Sequence, residues 1–354
     1  MLDIAGLDID ALDQALRPLG ARAYNARQLY RWLYARRVSD FGLMSDLGRE
    51  LRERLSREAT IGFPAIAERV PSGDDSMRYV YRLADGRRTE SVWIPGEGRR
   101  ATLCLSSQVG CALACRFCLS GAHGLKRHLS TAEVIGQAWS MLREAPPLER
   151  VNVVFMGIGE PLDNYAAVSR AWRLLACPQG FGIPLRRITV STAGHLPSIE
   201  RLASEPSRPR LAVSLNATTD EVRSRIMPIN RAYPLERLLA ALRAFPLGRH
   251  ERITFEYVLL AGINDSDEDA RRLRRLVHGL PAKINLIPWN RSPGLAFETP
   301  SPERVDRFKE LLEPLGVPVT LRRRRGGDVS AACGQLSFRA RALAGAEPQG
   351  QVER

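Results

Sequence analysis

LCLSSQVGCALACRFCLSGAHGLKRHL, residues 103–129, sets Cys111, Cys115 and Cys118 in a C-x3-C-x2-C pattern. That spacing crowds three thiolates into one short loop, too close together for a set of buried disulfides. Three thiolates suit an iron–sulfur cluster with one iron left without a protein ligand, because a four-iron cubane ordinarily takes four cysteines. An open iron is a site for Lewis-acid and electron-delivery chemistry. The alternative is a structural zinc ion with a distant fourth ligand. Such sites show C-x2-C pairs and a second ligand pair elsewhere, which this sequence lacks.

The chain around this loop has 354 residues, 44% hydrophobic and 26% charged, the composition of a soluble globular protein. Its length can bury a full core and is expected to divide into about two domains. A net charge of +13 and a pI near 10.1 favour a polyanionic partner, nucleic acid first. The plainer account is an arginine-rich composition set by a GC-rich genome. Six cysteines, three of them in one loop, fit a reducing cytoplasm better than a secreted disulfide scaffold. The N-terminus, MLDIAGLDIDALDQAL, is acidic where a signal peptide would be basic, and no run is apolar enough to span a membrane. A cytoplasmic protein without a membrane partner is expected.

Asp8 or Asp10 can cap a first helix with Leu12, Ala15, Leu16 and Leu19 on one face, ended by Gly20. A second helix, roughly 25–37, sets Leu29, Tyr30 and Leu33 among Arg27, Arg31, Arg36 and Arg37. It reads either as an ordinary solvated face or as a phosphate-contacting helix with Tyr30, Trp32 or Tyr34 near nucleic acid. A third helical stretch runs over about 45–58. Residues 77–83 and 89–94 alternate like strands around the Asp85-Gly86 turn, a hairpin signal.

From Ala101 the rhythm becomes strand, loop, helix. Strands are expected at 101–106, 151–155, 187–190, 210–215, 253–260 and 283–288. Helices are expected at 131–143, 165–176, 196–204, 235–245, 267–278 and 302–315. Six βα units imply an α/β fold with a parallel sheet and right-handed crossovers, and in a closed or partly closed βα barrel the site lies at the C-terminal strand ends. The tail from about 340 to 354 reads as disordered.

After the second of these strands comes MGIGEPLDN, residues 156–164, where Leu162 replaces the third glycine of a dinucleotide fingerprint. Gly159 and Glu160 suit an ammonium group instead, with the glycine permitting close backbone approach. Ser191-Thr192 ends the third strand, Ser214-Leu215-Asn216 ends the fourth, and Asn290 follows the sixth. Any one alone reads as a capping residue. Their recurrence after successive strands points to one polar site for a small cofactor.

The motifs SSQVGCALACRFC, MGIGEPLDNY, STAG, SLNA, RIMPIN, KINLIPWN and GGDVSAACGQL together resemble the radical S-adenosylmethionine (SAM) family of RNA adenine methyltransferases that contains RlmN and Cfr. The resemblance covers nearly everything from Ala21 to Leu336. It implies an RNA-binding helical accessory domain at 1–75, a β-hairpin linker at 76–96, a radical SAM core at 97–339 built as a partial (βα)6 barrel, and the tail at 340–354. It also implies a [4Fe-4S] cluster on Cys111, Cys115 and Cys118, with SAM on the fourth iron. Gly159, Glu160, Ser191, Ser214, Leu215, Asn216 and Asn290 would surround that SAM.

By the same resemblance Cys333 takes a methyl group from a first SAM, and a second SAM, cleaved reductively, activates it for addition to an adenine ring carbon. Cys104 is then the resolving thiol, forming a transient disulfide with Cys333 and freeing the base, and Glu90 is the proton acceptor. Without the resemblance Cys104, Cys333 and Cys177 read as buried apolar thiols and Glu90 as an exposed strand carboxylate. Cys177 stays in that class. Arg322–Arg325 would meet the RNA backbone. The implied substrates are 23S rRNA and tRNA, and the implied reductant is a small donor such as a flavodoxin, for a monomeric enzyme.

The run from Lys283 to Leu336 resembles the RlmN branch and implies 2-methyladenosine. GLKRHL resembles the Cfr branch, whose product carries the methyl on carbon 8. Asn216 stands where many relatives have histidine. Two other classes remain: a non-catalytic Fe–S or zinc RNA-binding protein, and a radical enzyme acting on a small molecule.

Overall fold

The computed structural model describes residues 1–292, 294–322 and Leu336. Asp8 caps α1 (Ile9–Leu16), its side chain accepting the Ala11 amide, and a 3-10 turn ends at Gly20 with φ 72°. α2 (Ala23–Tyr30) continues as a π-helical turn, Arg31–Ala35, in which the Arg36 amide donates to the Arg31 carbonyl. α3 (Arg49–Glu58) starts later than expected. Phe41–Leu43 form a separate 3-10 turn before it, and Gly48 sits at its N-cap.

The aromatics of the second helix do not face nucleic acid. Tyr30, Trp32 and Tyr34 are all buried. Tyr34 Oη accepts the Gly6 amide at 3.0 Å and donates to the Leu7 carbonyl at 3.2 Å, and its ring meets Tyr30 edge-on at 4.6 Å. The apolar stripe is therefore a packing face, and Arg27, Arg31 and Arg36 lie outside it, exposed. This face docks on the rest of the chain: Trp139 Nε1 donates to the Leu33 carbonyl at 2.7 Å, and Phe63 lies 4.9 Å from the Trp139 ring.

Three antiparallel strands follow: β1 (Ala65–Pro71), β2 (Met77–Arg82) and β3 (Arg88–Pro95). The hairpin between β2 and β3 turns at Asp85-Gly86, as the sequence indicates. β3 then pairs antiparallel with β4 (Arg100–Cys104), so the hairpin is continuous with the main sheet. β1 is an edge strand exposed over most of its length, and its sequence has no apolar alternation to announce it.

From β4 onward the expected rhythm is present. α4 (Thr131–Glu144) leads to β5 (Arg150–Phe155), α5 (Tyr165–Ala176) to β6 (Ile188–Thr192), and α6 (Leu196–Ala203) to β7 (Arg210–Ser214). A short helix missed from sequence, α7 (Asp220–Ile226), precedes α8 (Leu235–Arg243) and β8 (Ile253–Leu259). α9 (Asp267–Val277) and β9 (Ala282–Pro288) follow, then α10 (Pro302–Leu312) and a seventh parallel strand, β10 (Val319–Leu321), also missed.

The ten strands lie in the sheet in chain order, and β4 to β10 are parallel. Right-handed crossovers that always step the same way place the helices on one face. The order never reverses, so the other face is left for ligands at the strand C-termini.

The exit from β4 is held from the helix side. Gln137 of α4, fully buried, accepts the Ser106 amide on Oε1 at 2.9 Å and donates from Nε2 to the Ser106 carbonyl at 3.0 Å. It replaces the two ladder bonds that the strand loses where it turns into the cysteine loop. Gln137→Met keeps the volume and strands both backbone groups, each worth roughly 1–3 kcal/mol when buried unsatisfied. Denaturant unfolding should show a loss of about 2–4 kcal/mol. A loss under about 0.5 kcal/mol would show that the clamp is dispensable.

Candidate active site

The cysteine loop is closed at its neck by a two-residue antiparallel pair, Gln108–Val109 with Arg127–His128. There Gly110 has φ 77°, and a Cβ would stand 1.9 Å from the Gly124 carbonyl oxygen, so only glycine fits. Within the loop the Cys118 amide donates to the Cys115 carbonyl, and the Arg116 amide donates to the Ile226 carbonyl at the end of α7. Trp289 Nε1, just past β9, donates to the Phe117 carbonyl at 3.0 Å. The loop is thus fixed by elements more than a hundred residues downstream.

Cys111, Cys115 and Cys118 line one side of a pocket of ≈ 970 Å³. Gly159, Glu160, Ser191, Ser214, Asn216 and Asn290 line it as well, so the structure brings all three cysteines and six of the seven expected cofactor residues together. The exception is Leu215, whose side chain is buried in the main core. Among the lining residues that escaped the sequence as site residues are Glu256 and Val258 on β8, Trp289, and Met227 after α7. Arg322 lines it too, at the end of β10.

Glu160 is the buried anchor of this cradle. Its Oε2 accepts the Ala193 amide at 2.9 Å, its Oε1 the Leu162 amide at 3.1 Å, and its own amide donates to Gln108 Oε1 at 2.8 Å. Burial nevertheless dominates and pushes its carboxyl up to about 7, because the two amides only partly offset the lost solvation. Gly159 has φ 107°, and a Cβ there would come within 2.6 Å of the Gln108 side chain. Asn216 has φ 56°, a left-handed conformation that asparagine tolerates. Its Oδ1 accepts the Val258 amide at 2.8 Å and its Nδ2 lies 3.2 Å from the Met227 sulfur. It braces β7 against β8 as well as facing the pocket.

The donor set fits a [4Fe-4S] cluster with SAM beside it. Three thiols sit on one loop, and the same pocket is lined by the apolar Leu113, Phe117, Met156 and Trp289 and by the Glu160 carboxyl. Burial pushes the Cys111 thiol up to about 12 and the Cys115 thiol well above its ordinary value, so metal would bind there with release of protons.

Cys104, the last residue of β4, is buried with Val92, Ile158 and Leu336. Its register partner is Val92, and strand alternation puts Glu90 on that same face of β3. Glu90 is not the exposed carboxylate that the strand pattern allows. It is 1% exposed, and Arg78 Nη1 stands 2.7 Å from its Oε1. Cys333, Arg323–Arg325 and the tail 340–354 lie outside the described residues. Leu336, three residues beyond Cys333, accepts a hydrogen bond on its carbonyl from Ser120 Oγ of the cysteine loop at 2.7 Å.

A chain-ordered parallel sheet with this loop after its first parallel strand defines a radical SAM enzyme, and the Radical SAM superfamily profile matches residues 105–274. The N-terminal residues 2–61 match the ribosomal RNA large subunit methyltransferase N-terminal domain. The dual-specificity RNA methyltransferase RlmN of Geobacter sulfurreducens is 48% identical, covering 100% of this chain and 97% of that protein. That of Syntrophotalea carbinolica is 45% identical, over 95% and 89%. The crystal structure of a radical SAM methyltransferase from Sphaerobacter thermophilus superposes with a TM-score of 0.90 at 40% identity, over 95% of this chain and 99% of that one. The chain belongs to the RlmN family of radical SAM RNA methyltransferases, whose chemistry uses a [4Fe-4S] cluster and SAM. Among the described residues no helix is long and apolar enough to cross a membrane.

A carboxyl near 7 must give up its proton before it can hold an ammonium. SAM affinity of the cluster-loaded protein should therefore rise as pH rises toward 7, by up to about tenfold per unit, and level off above it. Glu160→Gln should flatten that dependence. A titration by calorimetry that finds the same slope in both proteins would remove Glu160 from the contact.

Proposed function

We propose that this enzyme methylates carbon 2 of an adenine in 23S rRNA and in tRNA, through a methyl group carried on Cys333 and with two SAM molecules per turnover. The observation that carries the reading is Cys104. It is buried on the face it shares with Glu90 and packed against Leu336, and three residues of chain reach at most about 11 Å. A carrier thiol and a resolving thiol need that proximity. A non-catalytic RNA-binding protein has no use for it, and a small-molecule enzyme has none for the basic charge.

Cys111, Cys115 and Cys118 would hold the cluster, and Glu160, Gly159, Ser191, Ser214, Asn216 and Asn290 would surround SAM. When bound, the pair supplies the methyl group and a one-electron bond cleavage. The remaining tasks belong to the chain. An adenine ring carbon is not nucleophilic, so the Cys333 thiolate takes the methyl group first and presents it to the base, splitting one inaccessible step into two. Glu90, paired with Arg78 beside Cys104, accepts the proton lost from the methylated carbon. Cys104 then attacks the Cys333 sulfur, as in thiol exchange: the new S–S bond replaces the bond from that sulfur to the carried carbon, whose electron pair takes up a proton and leaves the methyl group on the freed base. A small electron donor such as a flavodoxin would serve as reductant, with the enzyme working as a cytoplasmic monomer.

Residues 1–75 are read as the RNA-binding accessory unit, 76–96 as the hairpin linker and 97–339 as the catalytic core. A second basic surface lies beside Cys104. A cavity of ≈ 850 Å³ between the β2–β3 turn and the end of the cysteine loop is lined by Arg87, Arg88, His123 and Lys126. Ile158, which packs on Cys104, and Ser120, which holds Leu336, form its floor. It is where the phosphates flanking an extruded adenosine would lie.

Two measurements test the reading. Cys333→Ala should block methyl transfer to the protein, while Cys104→Ala should leave an RNA–protein crosslink through Cys333. Normal turnover of the Cys104 variant would overturn the release step, and nucleoside mass spectrometry showing 8-methyladenosine alone would replace carbon 2 by carbon 8. For the RNA surface, Lys126→Ala should lower the slope of log affinity against log salt by about 0.7–0.9. An unchanged slope would place the phosphates elsewhere.

A further inference from the structure

α7 holds a charge that the reaction just described does not use. Arg223 is 0% exposed, and each of its hydrogen bonds ends on a neutral oxygen. Nε donates to the Leu215 carbonyl at 2.9 Å, Nη2 to the carbonyls of Ala193 at 2.7 Å and Ser214 at 3.2 Å, and Nη1 to Asn230 Oδ1 at 2.9 Å. No carboxylate hydrogen-bonds to it among the described residues. Asp220, the nearby acid, spends Oδ1 on Asn230 Nδ2 and on the Leu235 amide. A buried guanidinium without an anion is strongly unfavourable. Burial does pull its pKa down, but only to about 10, so the charge persists at neutral pH.

The pocket next door holds Cys111, Cys115 and Cys118, and Ala193 and Ser214, whose carbonyls Arg223 grips, line that same pocket. The carbonyls it grips belong to the ends of the cofactor strands. Ala193 follows β6 and donates its amide to Glu160, while Ser214 ends β7 and lines the pocket. The same short helix accepts the Arg116 amide of the cysteine loop on Ile226.

We infer that Arg223 is a positioning and charge-compensating residue for the cluster, balancing the negative charge of three thiolates and their cluster while fixing the rims of β6 and β7. The inference rests on the assignment of Cys111, Cys115 and Cys118 as cluster ligands. Its physical content is a redox one. A three-thiolate [4Fe-4S] site is net negative and gains one more unit of negative charge on reduction. A fixed buried cation therefore favours the reduced form.

The test is a redox titration of reconstituted protein without RNA, read by electron paramagnetic resonance of the reduced cluster. Arg223→Met and Arg223→Gln keep much of the volume and remove the charge, while Arg223→Lys keeps the charge and loses the fork. At a fixed potential the reduced-to-oxidised ratio should fall at least about tenfold in both neutral variants, a downward shift of ~59 mV, and stay within about twofold in the lysine variant. Neutral variants with full iron content and an unmoved midpoint overturn the inference. A lysine variant shifted as far as the neutral ones also overturns it, because geometry and not charge would then set the potential. If neither neutral variant folds, Asp220→Asn decides: it removes the acid acting on Arg223, and the midpoint must rise, an unmoved or lowered value being a refutation. Wild-type protein that takes up no iron–sulfur cluster would refute the ligand assignment instead, a separate result.

Discussion

Seven parallel strands stand side by side in the order in which the chain makes them, and each right-handed crossover delivers its helix to the same face. That single constraint organises the molecule. It covers one face of the sheet with apolar helix stripes and leaves every strand C-terminus on one rim. Residues that are far apart in sequence, from Cys111 to Arg322, therefore meet in one pocket. A reversal of strand order anywhere between β4 and β10 would split the rim into two crevices and separate the thiols from Ser214 and Asn290.

The pocket works by withholding water. Cys111, Cys115, Glu160 and Glu256 all have raised pKa values, and for each burial is the leading cause. Arg223 is displaced downward for the same reason. Acids whose protons are held more tightly than usual would release them as positively charged metal and ligand bind. The site is costly to build and the neighbouring structure carries that cost, through the Gln137 clamp, the Asn216 brace and the downstream anchors of the cysteine loop.

Most of this was legible where the signal is local. The C-x3-C-x2-C spacing needs one short loop, and the six central strands are apolar runs of ordinary length bounded by turns. The rest depends on tertiary context. β10 is three residues long and half exposed, and β1 is an exposed edge, so neither has a periodic pattern to read. Glu256 and Arg223 are charged residues buried by their neighbours, and no spacing rule predicts that. Glu90 looked like a surface carboxylate because carboxylates are mostly exposed, and its burial against Arg78 depends on a partner from another strand. The basic second helix misled for the opposite reason, its aromatics being core residues between arginines that merely flank them.

The π-helical turn at Arg31–Ala35 has a consequence for helical phase. In a regular α-helix each residue advances about 100° around the axis, so three neighbours cannot all face one wall. The wider turn slows that advance, and Trp32, Leu33 and Tyr34 are buried together. From this turn the Tyr34 hydroxyl meets Gly6 and the Leu33 carbonyl meets Trp139. The N-terminal helices are keyed to the catalytic sheet by a count of residues. Loss of any single one between Arg31 and Ala35 would rotate the key in its lock, whatever its chemical identity.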